Sequence, residues 1–163
     1  MSEKESKFLL YYSKKNIVDS LKIFVEHDAD VNYKNKSGYS PLINSCKQGH
    51  EENVKYLIEA GADVNLGTRS INPLFSAVKE NNVEIVKILL NHGVDIHRRD
   101  RYGKTALLIA VEQGFIEIIR LLTEHGANIF ANDKFGNSPI SIAEKDGDEI
   151  MINILKYTYL FNI

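Results

Sequence analysis

Ala29-Asp30-Val31-Asn32 returns three more times along the chain, as Ala62-Asp63-Val64-Asn65, Val94-Asp95-Ile96-His97 and Ala127-Asn128-Ile129-Phe130. Successive copies start 33, 32 and 33 residues apart. A period of that size marks one small supersecondary unit, repeated so that each copy buries its apolar face against its neighbours. The functional question therefore moves from an active site to a surface.

Between the copies lies a second landmark: Ser40-Pro41-Leu42, Asn72-Pro73-Leu74, Thr105-Ala106-Leu107 and Ser138-Pro139-Ile140. A Ser, Thr or Asn side chain accepts a bond from the free N–H groups of a helix's first turn, and proline directly after it is pre-set for the first helical position. These triplets predict four helix starts. Each helix is expected to stop after about two turns at Gly49, Asn81, Gly114 or Gly147, residues that tolerate the left-handed cap conformation. A second helix follows, with apolar residues at helical spacing: Val54, Leu57 and Ile58; Val83, Val86, Leu89 and Leu90; Ile116, Ile119 and Leu122. Gly61, Gly93 and Gly126 end these second helices. Polar stretches with Gly38, Gly103 or Gly136 then suit tight, hairpin-like turns.

This unit resembles an ankyrin repeat. The resemblance rests on Ser37-Gly38-Tyr39-Ser40-Pro41-Leu42, Gln48-Gly49-His50 and Gly61-Ala62-Asp63-Val64-Asn65, which recur in phase over nearly the whole chain. It implies an all-α fold, an ankyrin-repeat solenoid of about five stacked helix-turn-helix units with projecting β-hairpin-like loops. The expected organisation is a single domain over 1–163. It comprises a degenerate first repeat (7–35), repeats at 36–68, 69–100 and 101–133, and a degenerate capping repeat at 134–163.

Departures from the family pattern carry their own expectations. The histidine that commonly follows the Thr-Pro-Leu motif is replaced by Ile43, Phe75, Leu108 and Ser141, so its hydrogen bonds must be absent or supplied otherwise. The third unit's loop is one residue short, with Ser70 where the turn glycine belongs, and is expected to be irregular. Asp28 replaces a helix-ending glycine, and Asn16 stands where the first repeat's helix-breaking glycine belongs.

Composition excludes several classes. A chain of 163 residues with 44% hydrophobic and 26% charged residues is an ordinary globular mixture, and a net charge of −2 argues against nucleic acid as the partner. Cys46 is the lone cysteine, which rules out an intramolecular disulfide and fits a reducing compartment. No run approaches the ~18 apolar residues of a membrane span, and Phe8–Tyr12 is too short for a signal core. A cytoplasmic location is expected, or the host cytosol for an effector.

No catalytic constellation, metal site or cofactor motif emerges. His27, His92 and His125 share one repeat position, but neighbouring packed helices stand about 8–10 Å apart, too far to share one zinc ion easily. They read as helix-terminal histidines favoured by the dipole. Cys46, beside the small-residue position of Ser45, Ala77, Ala110 and Ala143, reads as packed rather than reactive.

The family resemblance implies that partners meet the concave face formed by the loops and first-helix ends. Carried over position by position, the candidate partner-binding residues are Lys34, Lys36, Tyr39 and Lys47; Arg69, Ile71 and Lys79; Arg99, Arg101, Tyr102 and Lys104; and Lys134 and Phe135. The four loops hold eight basic residues against Asp100 and Asp133, in a chain whose total is negative. Tyr and Arg are enriched at binding hot spots. The expected function is a non-catalytic protein-protein interaction module for an acidic protein partner. Alternatives are a stand-alone inhibitor or immunity/effector-type protein that blocks a partner enzyme, and a self-associating structural unit. The last draws on the apolar C-terminal tail, Tyr157 to Ile163, which either folds back over the last repeat or offers an exposed patch.

Overall fold

The computed structural model describes residues 2–161, except for the side chains of Thr158, Tyr159 and Phe161. Ten helices and no strand occur among the described residues. The chain divides at Val94/Asp95 into two compact units. The first holds α1 (Glu3–Tyr12), α2 (Val18–Glu26), α3 (Pro41–Gln48), α4 (Glu51–Glu59), α5 (Pro73–Lys79) and α6 (Val83–Asn91). The second holds α7 (Ala106–Gln113), α8 (Ile116–Glu124), α9 (Pro139–Asp146) and α10 (Glu149–Phe161). No described helix is long and apolar enough to cross a membrane.

In the first unit, α1, α3 and α5 form one layer and α2, α4 and α6 a second, each helix packing on its hairpin mate and on its counterpart in a neighbouring repeat of the same unit. Leu9, Leu21, Leu42, Leu57, Phe75 and Leu89 are completely or almost completely buried between the layers. In the second unit, α7 packs on α9 and α8 on α10, around Leu107, Leu108, Ile118, Ile119, Leu122 and Leu155. Ile116 departs from the expected apolar face: it is 38% exposed, and Ile118 takes the inward position. Ser45 and Ala77 are buried on α3 and α5, which pack on each other, and Ala110 and Ala143 on α7 and α9, which do the same.

The helix starts follow the triplets. Ser40 Oγ accepts from the Ile43 N–H at 3.3 Å, Asn72 Oδ1 from Phe75 at 2.9 Å and Thr105 Oγ1 from Leu108 at 3.2 Å. Ser138 and Ser141 cap each other's N–H groups reciprocally at 3.2 and 2.8 Å. Each such cap stabilises its helix by about 1 kcal/mol. The residues standing in for the family's histidine divide accordingly: Ile43, Phe75 and Leu108 fill the core, and Ser141 completes a capping box.

Helix ends follow the left-handed residues. Gly49, Gly114 and Gly147 cap α3, α7 and α9 with φ of 73, 69 and 66°, and Asn81 does the same after α5 at 55°. Asp28 adopts φ 62° where glycine was expected, a conformation open to aspartate at modest cost.

The repeated phrase is a turn. Asp30 Oδ1 accepts the Asn32 N–H at 2.9 Å, and the same bond recurs at Asp63/Asn65, Asp95/His97 and Asn128/Phe130. A short polar side chain two residues upstream thus supplies the turn that a backbone carbonyl would otherwise make.

The first repeat lacks a glycine after α1, and the second repeat compensates. Asn44 Nδ2 donates to Leu10 O and Ser13 Oγ at 3.2 Å each, Ser45 Oγ donates to Ser13 O at 3.2 Å, and Asn53 Nδ2 donates to Lys15 O at 2.7 Å. Carbonyls orphaned at the end of α1 therefore find partners on α3 and α4.

Candidate functional site

Three of the four loops share one internal architecture. Asn35, Asp100 and Asp133 each donate their N–H to the carbonyl four residues on, at 3.1, 2.9 and 2.8 Å. Each also accepts two N–H bonds on Oδ1: Asn35 from Ser37 and Tyr39, Asp100 from Tyr102 and Lys104, Asp133 from Phe135 and Asn137. Burial works against ionisation of Asp133, but the N–H groups of Asn137 and Phe135 outweigh it and hold the carboxyl below the ordinary aspartate range.

The short loop differs as expected, and for an identifiable reason. Thr68 replaces the Asn or Asp, donating its N–H to Ile71 O at 2.8 Å while its Oγ1 accepts the Ile71 N–H at 3.0 Å. The turn closes one residue sooner. Gly67 makes this feasible at φ 147°, where an added Cβ would lie 2.3 Å from Ile71 O.

In the first unit the structure brings candidate residues together. Tyr39, Lys47, Ile71 and Lys79 line one cleft of about 200 Å³, shared with Ser70, Ser76 and Glu80. Tyr39 and Lys47 also border an adjoining cleft of about 300 Å³ with Lys14, Asn35, Asn44 and Gln48. Lys47 Nζ stands 5.6 Å from the centre of the Tyr39 ring, an attractive placement of a cation over the π face. Lys34, Lys36 and Arg69 are exposed on the loops outside these clefts.

Lys14 did not figure among the sequence candidates. Its signal was present, because Lys14, Lys47 and Lys79 are spaced 33 and 32 residues apart, the same steps as the repeated phrase. The degenerate first repeat offers no triplet to align it by.

The second unit arranges its candidates otherwise. Lys104 Nζ binds both carboxylate oxygens of Glu112, at 2.6 and 2.8 Å. Arg99 donates to the carbonyls of Gly103 and Asn132, the first at 3.0 Å, and the Lys134 N–H donates to Tyr102 O at 2.9 Å. These contacts tie the two loops of the unit to each other. The Arg101 guanidinium lies 4.9 Å from the Tyr102 ring centre. Phe135 is 72% exposed, and Lys134 is exposed beside it.

The histidines at the shared repeat position are exposed at helix ends. Nδ1 of His27, His92 and His125 lies 2.7–2.8 Å from the carbonyl four residues upstream. A carbonyl only accepts, so Nδ1 carries the hydrogen. Cys46 is wholly buried, burial pushes its thiol upward, and its carbonyl accepts from Asn82 Nδ2 at 2.9 Å. At the C-terminus, α10 runs on through Phe161 with Tyr157 and Leu160 two-thirds exposed, and the last two residues of the apolar tail, Asn162 and Ile163, lie outside the described residues.

A family model described as ankyrin repeats (3 copies) matches residues 2–68 and 67–133. Curated relatives match over shorter stretches. The chain is 36% identical over 83 residues to "Protein fem-1 homolog A-like" of Mus musculus, a match covering 51% of this chain and 13% of that protein. It is 48% identical over 48 residues to "Alpha-latrocrustotoxin-Lt1a" of Latrodectus tredecimguttatus, covering 29% of this chain and 3% of that one. It is also 34% identical over 46 residues to the human "Protein phosphatase 1 regulatory subunit 27", covering 28% and 30%. In each case the match spans less than a third of the relative's length.

Proposed function

The chain belongs to the ankyrin-repeat family, and from that premise we propose that it binds an acidic protein partner through its loops and first-helix ends. Ankyrin repeats are generally non-catalytic protein-protein interaction modules. The observation that carries the finer reading is the convergence of Tyr39, Lys47, Ile71 and Lys79 on one cleft. Four side chains from two loops and two helices supply the mixture of aromatic, apolar and cationic surface found at binding hot spots. Charge segregation in the same unit supports it. The second helices carry Asp19, Glu26, Glu51, Glu52, Glu59 and Glu84 against Lys22, Lys55 and Lys87, a net −3. Lys14, Lys34, Lys36, Lys47, Arg69 and Lys79 lie instead on loops and first-helix ends, opposed there by Glu80 and the turn residues Asp30 and Asp63. Such an arrangement orients an acidic partner toward one side during encounter.

A regulatory role, in which binding blocks or redirects a partner enzyme, fits the same surface and draws support from the regulatory-subunit relative. The test is site-specific photo-crosslinking in extract from the source cells, with the photoreactive group at Tyr39 and, separately, at Lys55 on α4. Capture of one protein from position 39 and none from position 55 supports the reading. Capture from position 55 alone overturns it.

A second reading, self-association, is favoured by α10, where Ile150, Tyr157 and Leu160 are all exposed. Comparing the solution mass of the native chain with that of a Tyr157→Asp/Leu160→Asp variant decides it. A fall in mass supports self-association, and two monomers exclude it.

A further inference from the structure

The row Lys14, Lys47 and Lys79 has a spacing that selects a partner conformation. Lys47 and Lys79 lie at the ends of the packed helices α3 and α5, whose axes stand about 8–10 Å apart, and Lys14, in the turn after α1, shares one cleft with Lys47. An extended chain advances about 3.1–3.4 Å per residue, so every third side chain falls about 9–10 Å along. Lys14 and Lys47 border one cleft, Lys47 and Lys79 the next, and Tyr39 borders both. All three ammonium groups are on exposed side chains, and among the described residues none of them enters an ion pair.

Cleft size suits inserted single side chains rather than a whole helix. At about 200 and 300 Å³ each cleft accommodates one or two side chains, whereas a helix with its side chains is about 10–12 Å across. An extended backbone also needs polar partners, and Gln48 and Ser76 offer them in the two clefts.

Resting on the acidic-partner reading above, we infer that the first unit recognises an extended acidic protein segment with a carboxylate at every third residue. One carboxylate meets each of Lys14, Lys47 and Lys79, and intervening side chains enter the clefts on either side of Tyr39. Glu80 borders the second cleft and repels the carboxylate at Lys79, so it limits affinity at that end.

The test uses the full chain and three fluorescent peptides that carry three carboxylates each, two of about ten residues and a helical one of about sixteen. In the first, proline-rich spacers keep the backbone extended and aspartate occupies every third position. In the second, the aspartates are contiguous. The third is a helix with glutamate at every seventh position, which matches the lysine spacing at about 1.5 Å per residue. The extended, spaced peptide binds about tenfold more tightly than either control, and added salt weakens it. Lys47→Glu weakens it by about tenfold, and Lys14→Glu and Lys79→Glu by about fivefold each, because rim charges contribute less than one flanked on both sides. Glu80→Gln strengthens it by about threefold. Lys55→Glu, on the second-helix layer, leaves it unchanged. Circular dichroism and denaturant midpoints establish that each variant is folded, and the gain from Glu80→Gln cannot arise from misfolding.

Equal binding of the spaced and contiguous peptides overturns the inference. If Lys47→Glu then still weakens both, the broader acidic-partner reading stands. Preference for the helical peptide overturns the extended conformation. Failure of every peptide to bind overturns the inference as well, and crosslinking from position 39 then decides the broader reading independently.

Discussion

Asn32 and Asp63 are joined across one repeat: Asn32 Oδ1 accepts the Asp63 N–H at 2.8 Å while its Nδ2 donates to the carbonyl of Gly61 at 3.2 Å. Asn65 likewise donates Nδ2 to Gly93 O at 3.2 Å. The asparagines that close the first two copies of the repeated phrase therefore fasten them to the end of the next second helix. Asn32→Ala removes two partly exposed bonds and is expected to lower stability by about 1–2 kcal/mol. Asn32→Asp retains an acceptor, loses the donor to Gly61, and falls between the two. Urea midpoints of the three chains check the order.

His97 occupies the same position in the second unit, and imidazole cannot present an amide's donor and acceptor side by side. His97→Asn restores the group that fastens Asn32 and is expected to raise stability by up to about 1 kcal/mol. The measurement is the denaturant midpoint, supported by slower amide exchange at Asn128.

Gly67 is the most constrained glycine of the chain. Gly67→Ala places a Cβ within 2.3 Å of Ile71 O, so the short loop must open and carry Ile71 away from its cleft. Gly136→Ala, at φ 83° with nothing within 4 Å, carries only the left-handed penalty of about 1–2 kcal/mol. Thermal melts of the two variants are expected to show the larger loss for Gly67→Ala.

Arg99 and Lys104 are structural before they are functional. Lys104→Ala frees Glu112 and is expected to cost about 0.5–1 kcal/mol, and Arg99→Glu costs more because it sets a carboxylate against two carbonyls. Lys34→Glu and Lys36→Glu, on exposed loop residues, change stability by less than about 0.5 kcal/mol. Partner-capture assays that reverse Arg99 or Lys104 therefore need a stability measurement beside them.

Asp133 makes stability depend on acid. Its folded carboxyl is held below the ordinary range, so its contribution is fully present above that range and disappears as the pH falls through and below it. Denaturant midpoints taken from about pH 6 down to about pH 3 are expected to fall less steeply for Asp133→Asn. The variant is less stable at neutral pH and converges with the native chain in acid.

The local code was legible because each of its parts acts within a few residues. Ser40, Asn72, Thr105 and Ser138 cap helices three residues away, and Gly49, Gly114 and Gly147 end them, whatever the rest of the chain does. Even the irregular loop announced itself, through one missing residue and Ser70. Ile116 and Ile118 both satisfy a loose helical spacing, and only packing chooses Ile118 as the buried one.

By itself, then, the amino-acid order determined the repeat, its helices and the basic loops, since periodicity and capping are short-range properties of the backbone. Tertiary structure alone decided which cations are engaged and which surround a cleft. A lysine or arginine side chain is long enough to choose among partners on other elements of the fold. That reach binds Lys104 to Glu112, ties Arg99 to Asn132, and leaves Lys14, Lys47 and Lys79 in a row beside Tyr39.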